Sequence, residues 1–167
     1  EEYLRGVVSK EMSPSFPLEA LKAQAVAART FALKNRGRHV ADGYDLCDST
    51  HCQVYIGVAK YDSVDKAIDE TRGEVLLFKE KLADTNFHTD SGGMTESVVD
   101  VWGTELPYLV AVKETLKQGE PWVVKVLVKD FSSRFGEDFG DLKKINLSKL
   151  TVGTSADDRT ASGRVKA

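Results

Sequence analysis

The segment Pro17–Leu33, PLEALKAQAVAARTFAL, constrains this chain most. Alanine and leucine are strong helix formers. Leu18, Leu21, Ala25, Ala28 and Ala32 recur at three- and four-residue steps, the spacing of one helix face. Pro17 suits the first turn, where its missing N–H is no loss. Ser15 is the expected N-cap and Glu19 complements the helix dipole. Lys34 and Arg36 fall in the last turn, and Gly37 closes it. A face of alanines lets another backbone approach closely, so the fold is expected to be built on this helix.

The remaining segments are shorter. Tyr3–Val8 is an apolar run compatible with strand or helix, and Ser9–Pro14 reads as loop. Asp62–Arg72 predicts a second helix with Val64, Ala67, Ile68 and Thr71 on one side and Gly73 as its stop. Glu74–Lys79 and Ala83–His88 predict a hairpin around Glu80-Lys81, and Ser91-Gly92-Gly93 breaks the pattern. Tyr108–Lys113, the β-branched run Trp122–Val128, Ile145–Val152 and Ala161–Lys166 read as strands. Lys129–Phe135 reads as a short helix ended by Gly136. Helices lead and strands follow, so the expected class is α+β, with the alanine-rich helix packed on mixed or antiparallel β-structure. The expectation is one domain over residues 1–167, with two lobes of about 1–107 and 108–167 as the alternative. With 41% hydrophobic and 29% charged residues the composition is that of a soluble globular chain. A net charge of −3 argues against phosphate-driven nucleic-acid binding. No apolar run reaches membrane-span length. The abrupt opening at Glu1 and the unclosed last segment lead us to expect a fragment, with any targeting or anchoring segment outside it.

The chemistry-bearing residues are few. CDSTHC packs Cys47, His51 and Cys52 into six residues, too few cysteines for a disulfide framework but a fitting start for Zn²⁺, which takes four N/S ligands in structural sites. His39 is the favoured fourth ligand, because it lies in the loop leading into the cluster. His88 is the alternative. A Cys47–Cys52 disulfide, or two free thiols, are the competing readings. Glu11 precedes Met12 and a loop holding Pro14, Phe16 and Pro17. A carboxyl among apolar groups favours the protonated form that a general acid needs, although an isolated loop glutamate is more often simply solvated. Gln24 and Arg29 interrupt the alanine-rich helix. They point either into a cleft or to the wet face, or pair with a structural carboxylate. His88–Glu96, HTDSGGMTE, concentrates hydroxyls and carboxylates around a flexible turn that can bring backbone N–H groups to a polar ligand. No nucleophile elbow precedes Ser91, which argues against serine-hydrolase chemistry. The plain alternative is a polar turn.

These blocks resemble the stage II sporulation protein D family of peptidoglycan lytic transglycosylases, which includes the amidase-enhancer proteins. The resemblance rests on EYLRGVVSKEM at Glu2–Met12, PLEALKAQAVAARTFAL at Pro17–Leu33 and CDSTHCQVYIG at Cys47–Gly57. It continues through TRGEVL at Thr71–Leu76, FHTDSGGMTE at Phe87–Glu96, VWG at Val101–Gly103, PYL at Pro107–Leu109 and RTASGRV at Arg159–Val165. It implies that Glu11 is the catalytic acid. It also implies that the substrate is peptidoglycan glycan stripped of stem peptides, cut between N-acetylmuramic acid and N-acetylglucosamine. Gln24, Arg29, Ser91, Thr95 and Glu96 would hold the sugar or position Glu11. One carboxyl suffices for this chemistry, because the muramic acid 6-hydroxyl is an intramolecular nucleophile of high effective concentration. A glycoside hydrolase of the usual kind needs two. The resemblance further implies engulfment during endospore formation, an extracytoplasmic membrane-anchored place at the wall, and other wall hydrolases as partners. A glycan-binding amidase enhancer is the alternative. The family continues beyond RTASGRV into a Gly/His-rich segment with a Ser-Gln-Tyr element that this sequence does not contain.

Overall fold

A computed structural model describes residues 1–115, 123–134 and 143–166. The chain divides into two compact units, Glu1–Phe87 and His88–Ala167. Among the described residues, no helix is long and apolar enough to cross a membrane.

The first unit is a three-helix core with a small hairpin. α1 (Glu2–Glu11) resolves the ambiguity of the first apolar run. Its Val7-Val8 pair and Gly6 are poor helix formers. Leu4, Val7 and Val8 nevertheless fall on one helical face and are almost fully buried. Burying one such side chain contributes about 1.5–3 kcal/mol, which outweighs a propensity deficit of about 1 kcal/mol at Gly6. α2 (Leu18–Lys34) is the alanine-rich segment. Its N-cap is Pro17, whose carbonyl accepts from Ala20 N–H at 2.9 Å. Ser15 does not cap it and is held instead by Ser13. The helix stops at Lys34, and Asn35 folds its amide back onto the Phe31 carbonyl at 2.9 Å. Gly37 follows in the left-handed region. α3 (Asp62–Glu70) buries Val64, Ala67 and Ile68 and ends as the Thr71 hydroxyl turns back to the Ala67 carbonyl.

Leu4, Val7 and Val8 of α1, Leu21, Ala25 and Ala28 of α2, and Val64, Ala67 and Ile68 of α3 form the core. The long helix therefore packs chiefly on helices, not on the β-structure expected from the sequence. β1 (Leu77–Phe78) and β2 (Lys81–Leu82) make an antiparallel hairpin in register Leu77↔Leu82. Its turn is Lys79-Glu80, one residue earlier than expected. Both residues take positive φ, which the mirror-image hairpin turns require and which sequence normally signals with Asn or Gly. Thr30 accepts from Leu76 N–H at 3.0 Å, Thr85 donates to the Ala27 carbonyl at 2.9 Å, and Lys34 pairs with Asp84 at 2.6 Å. These contacts seat the hairpin and its flanks on α2.

In the second unit the described regular elements are α4 (Val98–Trp102) and α5 (Val128–Ser132). The strands expected at Tyr108–Lys113 and Ala161–Lys166 appear only as isolated bridges, Met94↔Lys113 and Arg159↔Val165. Ile145–Val152 carries none. Within the expected strand Trp122–Val128, Trp122 lies outside the described residues, 123–127 is irregular and Val128 opens α5. Phe135 and Gly136, expected to end that helix, also lie outside. The β-branched side chains of these runs are exposed, and without a paired neighbour β-propensity makes no ladder.

Candidate functional site

α1 places Glu11 as its last residue. Three buried side chains fix the helix, so the Glu11 carboxyl leaves the end of a rigid element. It is half-buried, and no hydrogen bond or ion pair with another described residue engages it. The chain then turns sharply. Phe16 N–H donates to the Ser13 carbonyl at 3.0 Å, and Ser63 at the start of α3 donates to the Pro14 carbonyl at 2.7 Å. The loop that follows Glu11 is thus tied at both Ser13 and Pro14.

Gln24 and Arg29 both face inward from α2, with 6% exposure each. Gln24 Nε2 has no partner among the described residues. A buried amide donor of this kind calls for a ligand or a water. Arg29 is spent on the fold. Its Nε donates to Glu1 Oε1 at 3.0 Å and its Nη2 to Glu1 Oε2 at 2.6 Å. Its Nη1 reaches the Glu74 carbonyl at 3.1 Å and Nη2 the Ile68 carbonyl at 3.4 Å. Hydrogen bonding from Arg29 holds the Glu1 carboxyl below its ordinary value. Arg29 therefore joins the start of α1, the end of α3 and the approach to the hairpin.

The loop between α2 and α3 gathers His39, Cys47, His51 and Cys52, whose ligand atoms all lie within 4.8 Å of one another. His51 Nδ1 lies 3.2 Å from His39 Nε2, 3.5 Å from Cys47 Sγ and 3.7 Å from Cys52 Sγ. A tetrahedral zinc has bonds of about 2.3 Å to sulfur and about 2.0–2.1 Å to nitrogen. Those lengths put two nitrogens about 3.3 Å apart and a nitrogen and a sulfur about 3.6 Å apart. The residues present fit such an ion. Both cysteines are free thiols. His39 Nδ1 meets Asp42 Oδ2 at 3.0 Å, the carboxylate–histidine pairing that orients metal-ligating imidazoles. The Ser49 hydroxyl, 3.3 Å from Cys47 Sγ, leads the contacts that bring the Cys47 thiol down to about 6, with the Ser49 backbone and His51 adding to it. Burial, and then the charges of Cys52, Tyr55 and Cys47, push the nearby Tyr3 hydroxyl up to about 12. The supporting residues Asp42 and Ser49 escaped the sequence reading. Their signal was only proximity, Asp42 three positions after His39 and Ser49 two after Cys47.

Ser91, Thr95 and Glu96 belong to the second unit. Ser91 is buried; its hydroxyl accepts from Gly93 N–H at 3.1 Å and its carbonyl from Arg164 Nη2 at 2.7 Å. Thr95 zips onto the next segment, donating N–H to the Val112 carbonyl at 2.8 Å and accepting from Val112 N–H at 2.7 Å. Glu96 Oε2 accepts from Ser162 at 2.5 Å, Thr160 at 2.8 Å and Arg164 Nη1 at 3.4 Å. Burial opposes the Glu96 charge, but these bonds, with one from Ser97 N–H to Oε1, hold the carboxyl below its ordinary value. Thr160, Ser162 and Arg164 were visible only as part of the RTASGRV block.

Residues 1–78 match the family model described as stage II sporulation protein. An uncharacterised protein of Brachyspira hyodysenteriae is 37% identical over 167 residues, covering 96% of this chain and 44% of its own length. The amidase enhancer of Bacillus subtilis is 34% identical over 162 residues, covering 97% of this chain and 21% of its own. Stage II sporulation protein D of Bacillus subtilis is 33% identical over 137 residues, covering 72% and 40%. The chain spans less than half the length of each of these relatives.

Proposed function

The chain belongs, over residues 1–78, to the stage II sporulation protein D family, and from that premise we propose that it carries a lytic transglycosylase activity on peptidoglycan glycan stripped of stem peptides. The observation that carries this reading is Glu11, a carboxyl without a partner among the described residues at the end of a packed helix. Protonated Glu11 gives its proton to the oxygen linking N-acetylmuramic acid to N-acetylglucosamine, and the C1–O bond breaks. The muramic acid 6-hydroxyl attacks its own C1, and the Glu11 carboxylate takes the hydroxyl proton. The new O6–C1 bond leaves a 1,6-anhydro end, and Glu11 is ready for another cycle. No activated water and no second carboxyl are needed.

Gln24 supplies an uncommitted buried donor for a sugar oxygen. Arg29 is engaged within the first unit, and Thr95 and Glu96 within the second, each holding segments of its own unit. His39, Cys47, His51 and Cys52 hold one zinc ion, as the distances among their ligand atoms support. With four protein ligands no position stays open for water, so the ion's part is structural. The setting is the wall side of the envelope during endospore engulfment, alongside other wall hydrolases.

Digesting denuded glycan strands with the intact protein and weighing the products tests this reading. Anhydro-muramyl ends are expected, and Glu11→Gln should lower their release by about 10²–10⁴-fold, the usual loss with a general acid. Activity within twofold of the parent protein would sink the assignment. The likeness to an amidase enhancer favours a second reading, in which the chain binds glycan and stimulates an amidase. Tight glycan binding, no anhydro products and a faster partner amidase would select it.

A further inference from the structure

The segment leaving the cysteine–histidine cluster runs directly across α1. Gly6 shows how close the two lie. A Cβ there would stand 2.3 Å from Tyr55 Cε2 and 2.5 Å from the Gly57 carbonyl oxygen, so only glycine lets this ring and backbone rest on the helix. One turn earlier, Tyr3 stacks on Tyr55 with centroids 5.5 Å apart and planes 18° from parallel. The Tyr3 hydroxyl donates to Gln53 Oε1 at 3.1 Å, and the Gln53 amide donates to the Ala28 carbonyl of α2 at 3.3 Å. On its other side the segment is tied into the cluster loop. Tyr55 N–H donates to the Asp48 carbonyl at 3.3 Å and Cys52 N–H to the Ser49 carbonyl at 3.1 Å. One side of α1 is therefore core, and another is a wall formed by residues one to five places beyond Cys52.

A helix of ten residues is not stable alone. It keeps its shape through what packs on it. The loop from Asn35 to Tyr61 has only a single 3-10 turn, Val40–Asp42, as regular structure, so ligation within the cluster is its main closure. We propose that Tyr55 is a positioning residue. It clamps α1 to the cluster loop, so that ligation of His39, Cys47, His51 and Cys52 sets the order of α1 and the placement of Glu11 at its end. This rests on the metal and Glu11 readings above, and the experiment separates it from both.

Amide hydrogen exchange would be measured on the full chain with stoichiometric zinc and with a chelator. Removing zinc should lower protection across Leu4–Glu11 at least tenfold, and more than across α3, which among the described residues makes no hydrogen bond to Gln53–Gly57. Tyr55→Ala should still bind one zinc per chain yet show low α1 protection whether or not zinc is present. Tyr55→Phe keeps the ring and should behave as the parent, because the Tyr55 hydroxyl makes no hydrogen bond among the described residues. Zinc binding with unchanged α1 protection overturns the clamp and leaves the metal reading standing. No zinc uptake overturns both. An α1 response without glycan cleavage keeps the clamp and removes the catalytic reading. Should Tyr55→Ala fail to fold by circular dichroism, the comparison of zinc-loaded with chelated parent protein still decides.

Discussion

Arg29→Ala is expected to act on stability first and on chemistry second. The side chain is 7% exposed and forms a two-pronged pair with Glu1, itself 21% exposed. Removing one partner of a buried pair costs about 3–5 kcal/mol, because the other charge stays behind. Glu1 retains some contact with water, which lowers that figure. Losing the Arg29 donor to the Glu74 carbonyl adds only a smaller amount, since Glu74 is exposed, and the Ile68 carbonyl keeps the Thr71 hydroxyl at 3.4 Å. A net loss of about 3–4 kcal/mol results, a large share of the 5–15 kcal/mol that holds a typical domain. With a urea slope of about 1–3 kcal/mol/M, the midpoint should fall by roughly 1–4 M. Arg29→Lys should lie between, since an ammonium cannot fork across the carboxylate. Adding Glu1→Gln to Arg29→Ala should recover part of the loss, by removing the unpaired charge. Lys22→Ala, which breaks a surface bridge to Glu19 and Glu70, should barely move the midpoint. Urea titrations followed by circular dichroism give all these values. A loss under about 1 kcal/mol for Arg29→Ala, with strict additivity toward Glu1→Gln, would refute the reasoning. Unchanged stability with abolished glycan binding would return Arg29 to the sugar.

Zinc should appear at one per chain in protein purified without chelator, and chelation should lower the melting temperature and loosen the loop after α2. Absence of metal by elemental analysis would remove the ion from the account. With Asp158, Glu96 contributes to the acid behaviour of the second unit. Its folded-state value lies below its ordinary 4.5, so its contribution is fully present above that value and is lost as pH falls through the folded one. Glu96→Gln should therefore cost the second unit about 1–2 kcal/mol at pH 7, a fraction of a charged hydrogen-bond network, and less at acid pH. An equal loss at both pH values would show that the charge is not what Thr160, Ser162 and Arg164 recognise.

How much of this was legible in the sequence depends on where the stabilising partners sit. α2 and α3 carry their own periodicity, so Leu21, Ala25, Val64 and Ile68 announced both helices and their buried faces. α1 did not, because Val7-Val8 serves a strand equally well until Leu21 and Ile68 are present to pack on it. The hairpin was readable, but its turn was displaced by one residue because Lys79 and Glu80 accept positive φ without a glycine or asparagine to mark it. The second unit defeated the reading most. Ile145, Leu147 and Val152 have strand character, yet a strand exists only when a neighbouring strand takes its hydrogen bonds. The cluster was legible in CDSTHC because its ligands are close in sequence. Asp42 was not, because one aspartate in a polar loop carries no signal until His39 folds over it.

The same distinction separates chemistry from architecture inside the most specific block. In KAQAVAARTFAL the alanines at 25 and 28 make room for α1 and α3, Thr30 caps the hairpin approach and Arg29 ties three segments together. Each has its capacity used within the fold. Gln24 alone in that face keeps a donor unspent. Burying an amide without a partner costs about 1–3 kcal/mol, an expense that packing does not demand, since leucine would fill the same depth. A residue retained at such a cost is best accounted for by something outside the chain. Gln24→Leu should therefore leave the fold as stable or more stable while weakening glycan binding, the reverse of the pattern expected for Arg29. If Gln24→Leu destabilises the chain by several kcal/mol and leaves glycan affinity unchanged, the amide has an internal role and the unspent donor loses its meaning.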